Sequence, residues 1–562
     1  MPHSRGFATA AKPRSNIVFI FTDDPDLRHG SLDTQRAVQS HLVAKGTTFT
    51  NHYATVAVCC PSRVSLMRGQ AAHNTNNTDI KAPGGGFPKF MASAENEYYL
   101  PHWLSEAGYN AECNLEPYIN ALNTVVMSEN GERPKLYSGY DQTDVIRIKA
   151  PFLPDDIPNR TACSEPHRSP TPPARYLGLF NTSTVPRTPN FKPPDKYQMG
   201  KPSWLRGLPP LNSTQIDDID LLYQRRLESL RGVDDIVDDV VEMLKDRGVI
   251  DNTYIIYSTD QGYHLGTHRH GAGKCLPYLE DMNIPLVVRG PGVPEGVISH
   301  TPSTVTDFAP TFLEIAGLRS EKIPPFLDGL SLLPAWKHPN TPKLAKKKEA
   351  INVEFWGSSY TEIPTWAGGD YAPYFRGLYL QNDYKTIRVV GEKSSWMYSR
   401  WCNNDTELYN TSDDPYELTN LANSTDPQIR RVKSRLNALL MVTNVIQPPS
   451  PRHGKRVETL DDALDSRYDA FYEAFPLVTI DECLNYQFAA NESPFFPPSA
   501  EFGLGLKYRN STDNFAFPES KPVEEIAPNN PLGGDWDQRH STFKDLMRNA
   551  RVLTDKEINN AP

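Results

Sequence analysis

What the chain lacks narrows its class first. It carries 7 cysteines in 562 residues, at positions 59, 60, 113, 163, 275, 402 and 483, none in zinc-type or thioredoxin-type spacing. That excludes a disulfide-framework scaffold and a structural zinc domain, while leaving room for one or two bridges. No apolar run is long enough to cross a bilayer, so no membrane span is expected. Basic residues are in deficit, 58 against 68 acidic, for a formal net charge of −10. A nucleic-acid partner is therefore not expected. Residues 1–15 (MPHSRGFATAAKPRS) show no apolar core of a secretory leader.

What is present is length, proline and punctuated apolar runs. A chain of 562 residues outgrows one compact core, so two or more domains are expected. The 50 prolines predict long ordered loops. N-x-S/T tripeptides begin at Asn76, Asn159, Asn181, Asn212, Asn404, Asn410, Asn423, Asn491 and Asn510. Their density favours the secretory route or the extracellular space, against the missing leader, and localisation stays open on these two signals.

Asn16–Thr22 (NIVFIFT) reads as a strand buried on both faces, and it ends at Asp23-Asp24. Adjacent carboxylates at the end of a buried strand are costly unless donors or a cation satisfy them. Thr253–Thr259 (TYIIYST) repeats the pattern and ends at Asp260-Gln261. Open α/β sheets gather ligand-binding groups at that edge, and hard divalent cations want such oxygen ligands. Between these strands, apolar residues from Asp220 to Leu244 recur at spacings of three and four and predict a long helix, with Asp234, Asp235, Asp238 and Asp239 as its solvated face. Leu100–Tyr109 predicts a helix ended by Gly108. Ala71–Thr78 reads as a loop, Lys343–Lys348 as a polar, flexible break, and Tyr384–Val390 as a half-exposed strand.

One stretch is rarer than these. Val58 to Gly69 reads Val-Cys-Cys-Pro-Ser-Arg-Val-Ser-Leu-Met-Arg-Gly. By itself it fits a buried cysteine pair at a helix N-terminus, with proline in the first turn. It also resembles the sulfatase signature C-x-P-S-R-x-x-x-x-x-G, and the order strand, Asp-Asp, Cys motif, strand, Asp-Gln, Gly-Lys follows that family through about residues 14–445. The likeness is closest to fungal arylsulfatases and the N-acetylglucosamine-6-sulfatase branch.

The resemblance implies an alkaline-phosphatase-like α/β fold, a large sheet sandwiched by helices, with a smaller C-terminal α+β domain. The expected units are a catalytic domain over 14–342, a subdomain with a small antiparallel sheet over 350–445, and a Pro-rich tail over 451–562. It further implies that Cys59 is oxidised to formylglycine (3-oxoalanine) by a formylglycine-generating enzyme. One hydroxyl of the hydrated aldehyde attacks the sulfur of a sulfate ester, and the other later expels sulfate. Asp23, Asp24, Cys59, Asp260 and Gln261 would hold calcium, Gln261 in place of the family's usual Asn. Arg63 and Lys274 would stabilise charge, and His167, in Ser164-Glu165-Pro166-His167, would assist the leaving group.

The implied substrate is a small aryl sulfate. A carbohydrate sulfate, a phosphate or phosphonate ester, and a non-catalytic role remain as alternatives. The last has a specific motive. The family places Gly-Lys, and a His two residues after the Lys, just beyond the strand that follows Gly108, whereas residues 110–121 (NAECNLEPYINA) contain neither Lys nor His. Local divergence, or an error in the coding sequence over these residues, would also produce that departure. Arg68 and Gln70 stand where many relatives carry Thr and Arg or Lys, in the neighbourhood the converting enzyme recognises.

Overall fold

The computed structural model describes residues 14–80, 84–86, 89–90, 95–109, 111–114, 117–121, 124–127, 135–138, 142–149, 159–162, 170, 172–319, 322–346, 348–362, 378–379, 381–442, 459–483 and 551–552. The elements that place the site are, in order, β1 (Asn16–Thr22), β2 (Thr47–Phe49), α1 (Cys59–Arg68), α2 (Leu100–Glu106), β3 (Ala111–Asn114), β4 (Asn159–Ala162), α3 (Ser213–Asp246), β5 (Thr253–Thr259), β6 (His264–Leu265), β7 (Ala272–Gly273), β8 (Leu286–Arg289), β9 (Val297–Ser299) and α4 (Phe308–Ile315).

Seven strands form one mixed sheet in the order β9-β2-β8-β5-β1-β4-β3. β1 lies in its interior, parallel to β5 on one side and to β4 on the other. Its continuous apolar run is explained by what covers each face. Ile17, Phe19 and Phe21 pack with Leu66 of α1, Trp103 of α2 and Phe308 and Phe312 of α4. Val18 and Ile20 pack against Leu230, Val233, Val237 and Val241 of α3. The sheet is thus sandwiched between helices, as expected for the alkaline-phosphatase-like class.

A second, antiparallel sheet follows, made of β10 (Ala350–Phe355), β11 (Tyr384–Val390), β12 (Ser395–Trp401) and β13 (Thr406–Asn410), and then α5 (Pro427–Val442). One face packs on Leu436 and Leu440 of α5 through Ile387, Val389, Trp396 and Tyr398. The other, through Ile351, Val353, Met397 and Tyr409, joins the core of the large sheet. β11 is therefore mostly buried rather than half exposed, because both sheet faces are covered.

Other expectations shift for identifiable reasons. α3 starts at Ser213, seven residues before Asp220, because Asn212 and Gln215 form a reciprocal capping box. Leu221 lies on its exposed side. Asp234 is not part of a solvated face: it is buried and accepts the backbone N–H groups of Ala37 (2.7 Å) and Val38 (2.9 Å). Ala72–Thr75 is a short helix within the expected loop, and Asn76, which ends it, is fully buried. A glycan therefore has no room at Asn76 in the folded chain, whereas Asn181, Asn212 and Asn423 are exposed. Pro342–Lys346 is helical rather than a break, and Lys348 pairs with buried Asp307. No described helix is long and apolar enough to cross a membrane.

Residues 459–483 pack on the second sheet through Leu460 and Val478 and are joined to it by a Cys402–Cys483 disulfide across 81 residues. Phe495–Pro498 and Pro528–Gly534, which read as irregular in the sequence, lie outside the described residues. Removing a bridge that closes so long a loop costs about 2–4 kcal/mol. Replacing both cysteines by serine should lower the melting temperature by several degrees, read by calorimetry. An unchanged transition would show that the bridge does not constrain the fold.

Candidate active site

Strand register brings the first residues together. Thr22 lies opposite Thr259 in the β1–β5 pair, so Asp23 and Asp260 leave the sheet at the same level. The threonines lock that edge: Thr259 Oγ1 donates to the Thr22 carbonyl (2.9 Å), and Thr22 Oγ1 to the Ser258 carbonyl (3.1 Å). Asp24 then turns back with φ +58°, a left-handed conformation that Asp tolerates better than most residues. Its N–H donates to Asp260 Oδ1 (3.2 Å), and its carbonyl accepts from the Arg226 guanidinium.

Cys59 opens α1, after Val58 in extended backbone, and Gly69 ends the helix with φ +64°. In that left-handed position any side chain is strained, which accounts for the glycine at the end of the motif. Ser62 Oγ donates to the Asp260 carbonyl (2.6 Å), which docks the first turn of α1 on the end of β5. One turn after Cys59, Arg63 spans two carboxylates: Nε donates to Asp260 Oδ2 (3.0 Å) and an Nη to Asp23 Oδ1 (2.6 Å). Lys274 follows the short β6–β7 hairpin. Its ammonium lies 2.8 and 2.9 Å from the two Asp24 carboxylate oxygens and 2.9 Å from Cys59 Sγ.

Asp23, Asp24 and Asp260 are completely buried. One ligating atom from each, with Cys59 Sγ, lies within 4.8 Å of the others. Burial, and next the charge of Asp23, push the Asp260 carboxyl up to about 8, against the opposing pull of Arg63. Burial disfavours the Lys274 ammonium, but Asp24 and Cys59 more than offset it and hold its pKa well above that of an ordinary lysine. Gln261 turns its Nε2 to Asp24, and its buried Oε1 has no hydrogen-bond partner among the described residues. A converging set of buried acidic oxygens with an unsatisfied amide oxygen beside it fits a hard divalent cation.

Of the residues predicted from sequence, Asp23, Asp24, Cys59, Arg63, Asp260, Gln261 and Lys274 therefore meet in one place. His167 lies outside the described residues. Backbone of a strand is present at Ala111–Asn114, beside β4 at the sheet edge. Arg226 was missed. Besides capturing the Asp24 carbonyl it stacks 3.9 Å over the Tyr263 ring, whose hydroxyl donates to Glu362 (2.7 Å). Its signal was readable: Leu222, Arg226 and Leu230 sit four apart, so an arginine occupies the buried stripe of α3. Glu362 carried no such signal, since only the fold brings it back to the large sheet.

The profile of the Sulfatase family matches residues 15–122 and 161–318. An arylsulfatase from Volvox carteri is 33% identical over 87% of this chain and 84% of its own length. One from Chlamydomonas reinhardtii is 31% identical with the same coverage. A human N-acetylglucosamine-6-sulfatase is 28% identical over 79% of this chain and 87% of its own. Among solved structures, a protein in complex with its substrate D-glucosamine-2-N,6-O-disulfate superposes with TM-score 0.58 at 20% identity, covering 77% of this chain and 97% of that one. A phosphonate monoester hydrolase from Silicibacter pomeroyi gives 0.56 at 18%, covering 76% and 95%. At those identities the structures speak for the fold alone. The sequence relatives carry the assignment: this chain belongs to the sulfatase family.

Proposed function

We propose that the chain is an arylsulfatase, a sulfuric-ester hydrolase that works with a formylglycine formed from Cys59 and with a bound calcium ion. The observation that carries this reading is the meeting of Cys59 Sγ with the Lys274 ammonium beside three buried carboxylates. The two algal arylsulfatases, alike over most of both chains, supply the substrate class. Asp23, Asp24, Asp260 and Gln261 would hold calcium. When present, calcium supplies a fixed double charge that polarises ester oxygens, and formylglycine supplies the geminal hydroxyls of its hydrate.

The chain's own residues do the rest. Arg63 bridges Asp23 and Asp260 and opposes the rise of the Asp260 carboxyl, and its partly exposed guanidinium edge can meet an ester oxygen. Lys274 neutralises anionic charge beside residue 59. The first turn of α1 directs backbone N–H groups and the positive end of the helix dipole to the same point, which favours an anion there. His167 would hold the proton that the leaving phenolate takes up. A second reading, hydrolysis of N-acetylglucosamine 6-sulfate, is favoured by the human relative of that name, which aligns along 87% of its length.

The test is hydrolysis of a chromogenic aryl sulfate, with the matching aryl phosphate and N-acetylglucosamine 6-sulfate alongside, after co-expression with a formylglycine-generating enzyme. Peptide mass spectrometry would report conversion at residue 59. Aryl sulfate should be the best substrate, and Cys59→Ala should abolish its turnover. Confirmed formylglycine with no turnover of any sulfate would discard the reading in favour of a non-catalytic relative. A second measurement concerns Arg63. Removing one partner of buried charges costs about 3–5 kcal/mol, so Arg63→Met should lower stability by that order in denaturant unfolding. A change within about 0.5 kcal/mol, the scale of ordinary surface substitutions, would remove Arg63 from this role.

A further inference from the structure

The three buried carboxylates are not served alike. Arg63 takes one oxygen each of Asp23 and Asp260. Asp24 is held by the Lys274 ammonium, at 2.8 and 2.9 Å from its two oxygens, and by the Gln261 amide. The same ammonium is 2.9 Å from Cys59 Sγ. Asp24 and Cys59 also belong to the group of atoms that converge within 4.8 Å as potential cation ligands. The ammonium therefore sits on the edge of Asp24 that an incoming divalent ion would need, and two cations cannot share that edge without strong repulsion.

The surroundings let the ammonium leave without disturbing the fold. The backbone on both sides of Lys274 is pinned: Ala272–Gly273 pairs with His264–Leu265, and the Cys275 N–H donates to the Ala57 carbonyl (3.0 Å). Only the flexible four-carbon stem has to turn. Where the ammonium stands, Glu362 and Asp23 also favour its charge.

We propose that Lys274 is a placeholder cation: it neutralises Asp24 in the metal-free protein, and a divalent ion displaces it, turning the ammonium towards the space where an anionic ester would lie. This rests on the calcium reading above and adds to it that divalent affinity is set by competition with a lysine of the chain. A lysine that both guards the ion's place and is released by the ion would be available to substrate only in the loaded protein.

The test uses the full-length protein with Cys59 unconverted, and reads binding and accessibility rather than turnover. Lys274 of the wild-type protein is labelled with acetic anhydride in EDTA and in calcium, and quantified by peptide mass spectrometry. Calcium affinity is measured by calorimetry for the wild type and for Lys274→Met. Calcium should raise labelling of Lys274 several-fold, and Lys274→Met should bind calcium about tenfold more tightly or better, since one competing unit charge is gone. Labelling that is unchanged or reduced by calcium, or a folded Lys274→Met with no gain in affinity, would overturn the placeholder role while leaving the metal reading intact. Absence of calcium binding by the wild type would instead remove the metal reading itself. A variant that folds only when calcium is supplied supports the proposal, and if it folds under neither condition the labelling of the wild type decides.

Discussion

Three carboxylates share one dry pocket at the end of two adjacent strands, and much of the architecture follows from keeping them there. Isolated, each would cost several kcal/mol to bury in the ionised state. The protein meets that cost with cations drawn from separate parts of the chain: Arg63 from the helix opened by the signature cysteine, Lys274 from a hairpin, and Arg226 from the long helix beneath the sheet, which binds the Asp24 carbonyl. The signature motif thus places a nucleophile and, one turn later, the counter-ion of the acids beside it. That second role explains why arginine and serine accompany the cysteine: Arg63 neutralises Asp260, and Ser62 ties its backbone.

The second sheet is part of the same arrangement. Glu354 at its edge accepts from His73 (2.7 Å), in the short helix after the signature, and its N–H donates to the Thr55 carbonyl (3.0 Å), four residues before Cys59. Burial opposes the Glu354 charge, but His73 and Lys385 overcome it and bring the carboxyl down to about 2. Glu362 reaches Tyr263, two residues past Gln261. Buried Lys201 joins the Tyr409 hydroxyl (2.9 Å) to the Glu417 carbonyl (2.6 Å) and lies over the Tyr278 ring. The smaller sheet therefore contacts the segment before the nucleophile, the segment after it, and the hairpin that carries Lys274. Changes there would be felt at the site without touching it.

Two interior strands of the large sheet were legible because they are buried on both faces, so Asn16–Thr22 and Thr253–Thr259 stand out as apolar runs with the same bounds in the structure. The acids were legible because each run ends in one. What escaped was decided by partners distant in sequence. Asp234 looked solvated because it belongs to the cluster Asp234, Asp235, Asp238 and Asp239, yet the backbone at Ala37–Val38 needed a buried acceptor. Tyr384–Val390 looked half exposed because its alternation reflects two different cores, not a core and water. The absence of Lys and His from residues 110–121 was equally plain in the sequence, and it leaves Lys274 as the lysine that meets Cys59 among the described residues.

The interior position of β1 has a consequence for biosynthesis. It leaves the ribosome well before the strand that completes its active-site edge, which lies 237 residues further on. At about 5–20 residues per second, that interval is on the order of ten to fifty seconds. Throughout it, NIVFIFT presents an unpaired, strongly β-forming edge, the kind of segment that recruits strands from other chains. The nascent chain is therefore exposed to association through that edge until Thr253–Thr259 emerges to cover it.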